Sequence, residues 1–282
     1  MKILITGGDG FVARGIQRYL ERDGAYKIDC LGKNELNLLV SDRTLYYDAV
    51  IHCAVQGGKR NDKDDLQTFY NNLLMFENLE SSITKDTMLI NIASGAEFNR
   101  ETDINNKDTN HLSITPLPRD PYGLSKNIIA KRVMQRKNSY NLRLFGCYGP
   151  GEIKDRFIYR CLNEKRVKIH KDIEFDFFYI DDLARVAKFM LEGGIKPRSD
   201  RNIVRDFNCV YMRKRNLAEI AYHIKDKFNS DLEIDYLFDE SQTEHYTGSG
   251  YELAKISIFM KDKLIGFENG LDHYYEANKL LN

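Results

Sequence analysis

Short apolar runs alternate with longer stretches in which apolar residues recur every three or four positions. Met1–Thr6 is a run of strand length that breaks at Gly7-Gly8-Asp9-Gly10, and Phe11, Val12, Ile16, Tyr19 and Leu20 then fall at helical spacing over Phe11–Arg22. Tyr26–Leu31 and Ala49–Val55 predict further strands, and Phe69, Leu73, Phe76 and Leu79 line one face of a helix over Leu66–Glu80. Met88–Ala93 predicts a strand, and the polar stretch Glu97–Asn110 a loop. Asp120 and Pro121 open a helix to about Lys137, Asp120 as its cap and Pro121 in its first turn. Asn141–Phe145 predicts a strand that ends in Gly146–Gly151, and Phe175–Ile180 a further extended run. Alternation repeated this often predicts an α/β fold, with a doubly wound parallel sheet and helices on both faces. The segment from about Arg201 onward is mixed and charged, and is expected to form a smaller lobe on the sheet. The expected division assigns residues 1–160 and 176–200 to the sheet domain, and 161–175 and 201–282 to the lobe.

Composition narrows the classes of function. The 282 residues carry 42 Lys+Arg against 42 Asp+Glu, a zero net charge that gives no electrostatic footprint for nucleic acid. No apolar run approaches membrane-spanning length, so no membrane partner is expected. The chain enters a strand pattern directly, without the pattern of a secretory leader, which reads as cytoplasmic. The five cysteines (Cys30, Cys53, Cys147, Cys161, Cys209) are odd in number and widely spread, which suits buried thiols in a reducing compartment. The six histidines show no metal-ligand spacing, and His52, between apolar neighbours, reads as a hydrogen-bonded core histidine.

The glycine loop carries the first chemistry. Thr6-Gly7-Gly8-Asp9-Gly10-Phe11-Val12-Ala13 follows a strand and opens a helix, the context of the Rossmann dinucleotide fingerprint. Gly7 permits the tight turn, Gly10 admits a pyrophosphate, and the helix N-terminus offers it N–H groups and a positive dipole end. An NAD site places a carboxylate at the end of the second strand, but here that strand ends Leu31-Gly32-Lys33, and Asp29 lies two residues too early. Lys33, with Arg14 after the glycine loop, is suited to a 2′-phosphate, so NADP is expected ahead of NAD.

The second constellation is catalytic. In Pro121-Tyr122-Gly123-Leu124-Ser125-Lys126, Tyr122 and Lys126 share one helix face. A phenol with a pKa near 10 is a sluggish acid at neutral pH, and a neighbouring ammonium is expected to lower that pKa. The strand before Ser94 delivers its hydroxyl to the carboxyl end of the sheet, where ligands bind. Tyr-x-x-x-Lys alone is a frequent accident on helices, but the fingerprint and Ser94 in the same chain order make a set.

These motifs resemble the extended short-chain dehydrogenase/reductases of the nucleotide-sugar epimerase, dehydratase and reductase group. The resemblance spans Thr6–Ala13, Val50–Ala54, Asn72–Leu79, Ser94, Pro121–Lys126, Arg143–Gly151, Asp176–Leu183, Leu264–Phe267 and Gly270-Leu271. It implies Ser94, Tyr122 and Lys126 as the catalytic set, Asn72 beside the cofactor, and a nucleoside-diphosphate sugar between sheet and lobe. The cofactor contacts it implies are Gly7, Gly8, Asp9, Gly10, Phe11, Val12, Arg14, Gly32, Lys33 and Asn72, with Tyr122 and Lys126 at the nicotinamide end. Candidate substrate contacts are Gly95, Phe145 and Arg156. It also implies a homodimer formed through the Leu66–Glu80 and Ile128–Gln135 helices.

Departures from the group's pattern restrict the reaction. Gly95 and Ala96 stand where the dehydratases carry an acid pair, and Ala96 where the double epimerase-reductases carry a cysteine. Glu152–Phe157 lacks the histidine of the latter enzymes. Phe175 replaces an arginine that contacts the nucleotide phosphates, leaving Arg156 or Arg213 as replacements. What remains is hydride exchange at a carbon bearing a hydroxyl or ketone. An NADPH-dependent 4-keto sugar reductase is the leading reading, ahead of a 4-epimerase with retained NAD and of a catalytically silent dinucleotide-binding protein.

Overall fold

The computed structural model describes residues 1–32, 35, 44–58, 63–110, 116–194, 204–236 and 245–280. Its centre is a six-stranded, all-parallel sheet of β1 (Lys2–Thr6), β2 (Lys27–Leu31), β3 (Ala49–His52), β4 (Met88–Ser94), β6 (Ser139–Leu144) and β11 (Asp206–Asn208), in the order β11-β6-β4-β3-β1-β2. The inner strands are almost continuously apolar and buried (Ile3, Leu4, Ile5, Val50, Ile51, Leu89 and Ile90 are all 0% exposed), as a sheet covered on both faces requires. Helices α1 (Phe11–Glu21) and α5 (Ile180–Leu191) pack together on one face, where Gly15 is a glycine because a Cβ there would collide with Ile180. Helices α2 (Leu66–Ser82) and α3 (Pro121–Gln135) pack together on the other, and Arg132 ties them through Glu77 and Glu80.

The sequence located the major elements, and their ends follow from local chemistry. Asp65 caps α2 in a reciprocal box with Thr68, and Asp120 caps α3 by accepting from the Gly123 N–H at 2.7 Å, with Pro121 at the first helical position. Two expectations are corrected. Part of the stretch read as loop, Ile104–Lys107, is a strand, β5, which pairs with β13 (His245–Gly248). Its pattern escaped reading because only Ile104 is buried and its partner lies far along the chain. The boundary at Arg201 also fails, because β11 lies beyond it and forms the edge of the main sheet beside β6.

The remaining elements form the lobe: α4 (Phe157–Asn163), β8 (Arg166–Ile169), β9 (Glu174–Phe175), α6 (Leu217–Lys227), β12 (Glu233–Tyr236), α7 (Tyr251–Ser257) and α8 (Phe267–Lys279). Strand β8 pairs with β12, while β13 sits between β5 and β9 in a small three-stranded sheet. β7 (Gly146–Tyr148) and β10 (Phe177–Tyr179) pair in parallel where the chain crosses between the two regions. The Leu264–Phe267 signature is anchored by Asp182, whose carboxylate accepts from the Ile265 and Gly266 N–H groups (2.6 and 2.9 Å) and the Tyr211 hydroxyl (2.7 Å). Among the described residues no helix is long and apolar enough to cross a membrane, and no group of His, Cys, Asp or Glu clusters as metal ligands do.

Candidate active site

Strand β1 runs into the glycine loop, whose backbone is fixed before any ligand is considered. The Gly7 and Gly8 amides donate to the Leu31 carbonyl at 2.8 and 3.2 Å, and the Gly10 amide to Gly7 at 2.8 Å. Gly7 has φ +71°, and a Cβ there would lie 2.8 Å from the Ala54 backbone, so only glycine fits. Gly10 provides no side-chain cap, leaving the first turn of α1, with Phe11 and Val12, to an anion. This cradle fits the pyrophosphate of a dinucleotide.

The outer end of the cradle differs from the sequence reading. Lys33 lies outside the described residues, and Arg14 is exposed on the first turn of α1. The Glu35 carboxylate accepts from the Gly32 amide at 2.6 Å, with Asp9 beside Gly32, so an acidic group does stand at the end of β2. Sequence reasoning stopped at the strand's end and missed Glu35, whose carboxylate reaches the Gly32 amide. Asp29, set aside from sequence, binds the Tyr47 hydroxyl at 2.8 Å and approaches Lys2 at 3.6 Å.

The predicted catalytic residues lie at the end of β4 and in the first turns of α3. The Ser94 hydroxyl acts on the phenol of Tyr122 and lowers its pKa. Ser94 also caps the short 3-10 turn Gly95–Glu97, accepting from the Ala96 amide at 3.2 Å while its own amide donates to Glu97 at 2.8 Å. The Tyr122 ring is held between the backbone of Gly58, where a Cβ would lie 2.6 Å from Cζ, and the Arg100 guanidinium, 5.9 Å from the ring centroid. Arg100 in turn bonds Asp120, the α3 cap, at 2.6 Å.

The ammonium of Lys126 is engaged by the backbone of β4. Burial pushes the Tyr122 phenol above its ordinary pKa, the Ser94 hydroxyl draws it back, Glu97 raises it and Arg100 lowers it. Lys126 shares the helix face, but its Nζ donates to the Ile92 carbonyl at 2.6 Å. Burial lowers the pKa of Lys126 while Glu97 raises it. The cation stacked over the phenol ring is Arg100, which the sequence reading did not select. Lys126 is buried behind the centre, beside His52 and Cys53. His52 is the core histidine expected: its Nδ1 shares a 2.8 Å hydrogen bond with Thr6 Oγ1, and burial, then Lys126, lowers its pKa to about 3.

An ion network centred on the fully buried Arg143–Glu97 pair supports Ser94 from below. Arg143 in β6 donates to Glu97 through Nε (2.9 Å) and Nη2 (2.8 Å), pairs with Asp206 at 2.8 Å and bonds Asn208 at 3.1 Å. Asn208 then donates to the Lys107 and Ser249 carbonyls, 2.8 and 3.2 Å away, which flank β5 and β13. Of the other candidates, Gly95 lies against Phe145, where a Cβ would lie 2.5 Å from the ring. Asn72 clamps the loop after β3, accepting from the Gln56 amide at 2.8 Å and donating to the Gln56 carbonyl at 3.1 Å and Ser125 at 3.0 Å. Arg156 donates to the Cys147 carbonyl at 3.0 Å and covers the Phe11 ring at 5.8 Å. Phe175 stacks with Phe177 at 4.6 Å, over Gly146, where a Cβ would lie 2.7 Å from its ring.

A parallel sheet of this order, a glycine cradle at its first βα turn and a serine–tyrosine pair at its carboxyl edge define an NAD(P)-dependent enzyme of the epimerase and reductase class. The family model for the NAD dependent epimerase/dehydratase family matches residues 3–204, and the chain belongs to that family. Similar solved structures include a GDP-mannoheptose C4 reductase from Campylobacter jejuni with NADP bound, at TM-score 0.77 and 18% identity, covering 99% of this chain and 98% of that one. They also include a UDP-glucose 4-epimerase from Thermotoga maritima with UDP-glucose, at TM-score 0.73 and 17% identity over 100% of both chains. A UDP-glucuronic acid 4-epimerase from Bacillus cereus, in complex with UDP-glucuronic acid and NAD, has TM-score 0.71 and 19% identity over 100% of both. No curated protein sequence gives a significant match.

Proposed function

We propose that the protein reduces a 4-keto(-6-deoxy) sugar nucleotide, with NADPH as the exchangeable hydride donor and Tyr122 as the proton donor. The observation that carries this reading is the action of the Ser94 hydroxyl on the Tyr122 phenol beside the glycine cradle, with neither an acid pair nor a cysteine at Gly95 and Ala96. When bound, the dinucleotide supplies the hydride. Ser94 holds the substrate oxygen, Tyr122 delivers a proton to that oxygen as it gains charge, and Arg100 steadies the phenolate left behind. Lys126 fixes the back of the helix to β4 through Ile92. The fold is shared by enzymes that bind GDP and UDP sugars, which supports a nucleoside-diphosphate sugar as substrate.

A second reading has its own observation. Glu35 at the end of β2 suits the ribose 2′-hydroxyl of NAD, and a retained NAD would make the protein a 4-epimerase. Release of the nicotinamide from denatured protein, followed by separate titrations with NADPH and NADH, separates the two. An empty site preferring NADPH is the expected outcome, whereas stoichiometric NAD carried through purification would establish the epimerase. A homodimer is part of the proposal: Leu66, Tyr70 and Leu74, spaced four apart on α2, are 69%, 61% and 49% exposed, an apolar stripe suited to a second copy.

A further inference from the structure

We propose that Tyr246 is a substrate-contacting residue, a second phenol that shares Ser94 with Tyr122 and holds a sugar oxygen next to the reacting carbon. This rests on the reading above that the site works on a sugar. Tyr246 comes from β13, more than a hundred positions from either partner, and its ring is edge-on to Phe145 at 5.1 Å and tilted on Phe175 at 5.1 Å. Phe145 bridges Tyr246 to Gly95, the neighbour of Ser94, and the Ser94 hydroxyl draws down the pKa of the Tyr246 phenol as it does that of Tyr122.

The placement is built rather than incidental. Asp176 accepts from the Gly248 amide at 2.9 Å, and Lys214 binds both Asp176 (2.7 Å) and the Gly248 carbonyl (2.6 Å), which fixes β13 two residues past Tyr246. Gly248 leaves room for Phe145, since a Cβ there would lie 2.5 Å from the ring. Phe175, in the position where the resembling group keeps a phosphate-binding arginine, is a buttress for Tyr246. A half-buried phenol set among aromatic rings has an apolar body for a sugar face and a hydroxyl for a sugar oxygen. The ligand it selects is a hexose bearing an oxygen beside the reacting carbon. An analogue lacking that oxygen leaves the hydroxyl unpaired and is disfavoured by about 10- to 100-fold.

Because one serine hydroxyl serves two phenols, removal of one hydroxyl changes the other. Arg100, Tyr122, Ser94 and Asp120 face Tyr246, while Ser94, Glu97, Arg100 and Asp64 face Tyr122. In protein labelled with [4-13C]tyrosine and loaded with NADP, the Tyr122 signal is identified by its loss in Tyr122→Phe. In Tyr246→Phe, which keeps the ring, the Tyr122 titration is expected to move down by about half a pH unit or more, as Ser94 turns wholly to it. A titration unmoved by Tyr246→Phe overturns the assignment. With dTDP-4-keto-6-deoxyglucose and NADPH as the kinetic probe, Tyr246→Phe raises KM about 10-fold with kcat nearly unchanged. An unchanged KM overturns the substrate contact. If the wild-type protein does not turn over this probe, that result counts against the reductase reading alone, and the titration still decides whether Tyr246 shares Ser94.

Discussion

The two walls of the candidate active site are built in opposite ways. The wall from the main sheet is polar and tied by charge: Ser94 rests on Glu97, Glu97 on the fully buried Arg143, and Arg143 on Asp206 and Asn208. The other wall is aromatic, with Phe98 and Phe145 from beyond the ends of β4 and β6, Tyr246 from β13, and Phe175 and Phe177 from β9 and β10 in successive ring contact. The first wall fixes atoms to within a hydrogen bond's tolerance, as proton transfer requires. The second offers shape and area, and pins its one reactive hydroxyl by anchoring a strand. On the proposed reading, chemistry belongs to the main sheet, and selectivity to aromatic residues gathered from distant parts of the chain.

The largest test of this contrast is to weaken the polar wall. Tyr122→Phe is expected to lower kcat by about 100-fold or more while dinucleotide binding, followed by fluorescence titration, stays close to wild type. Glu97→Ala leaves Arg143 without its bidentate partner in a buried site, and urea unfolding should show a loss of about 3–5 kcal/mol, unlike any single change in the aromatic wall that keeps a ring. Gly58→Ala forces a side chain at φ +73° into the Tyr122 ring, and a drop of about 10-fold in kcat with a smaller fall in Tm is expected.

Away from both walls, Glu152 sharpens the comparison by its pH dependence. Burial pushes its carboxyl up to about 8, with Arg156 opposing. Between about pH 4.5 and 8 the folded state keeps a proton that the unfolded state has released, so this group's contribution to stability is lost as pH rises through that range. Glu152→Gln is therefore expected to raise Tm by a few degrees at pH 9 and to change it little at pH 4, measured by thermal unfolding. A constant shift across pH would contradict this account of the buried carboxyl.

The glycine loop between strand and helix, Ser94 at a strand end and Tyr122 behind a capped helix start could be read from the sequence because each is a local pattern. Lys126 shows the limit of that logic, since helical spacing put it on the Tyr122 face but not where its ammonium would go, and the Ile92 carbonyl took it. Arg100 and Glu97 were hidden because their roles depend on Asp120 and Arg143, partners that no spacing rule joins. The aromatic wall was almost illegible. Tyr246 lies in a four-residue strand whose neighbours β5 and β9 are as short, and pairing between such remote strands leaves little local trace. Phe175 was visible only as a departure from the group's pattern, and its contact with Tyr246 gives that departure a purpose.

The central claim is that Tyr122, held by Ser94, completes a hydride reduction of a keto sugar, and the most direct measurement is isotope transfer. NADPH carrying deuterium at the transferable position would be incubated with dTDP-4-keto-6-deoxyglucose and related 4-keto sugar nucleotides, and the products examined by mass spectrometry. The account predicts one deuterium on the sugar with wild-type protein, and less than about a hundredth of that rate with Tyr122→Phe. Equal transfer by the variant, or none by the wild type across those substrates, would contradict it.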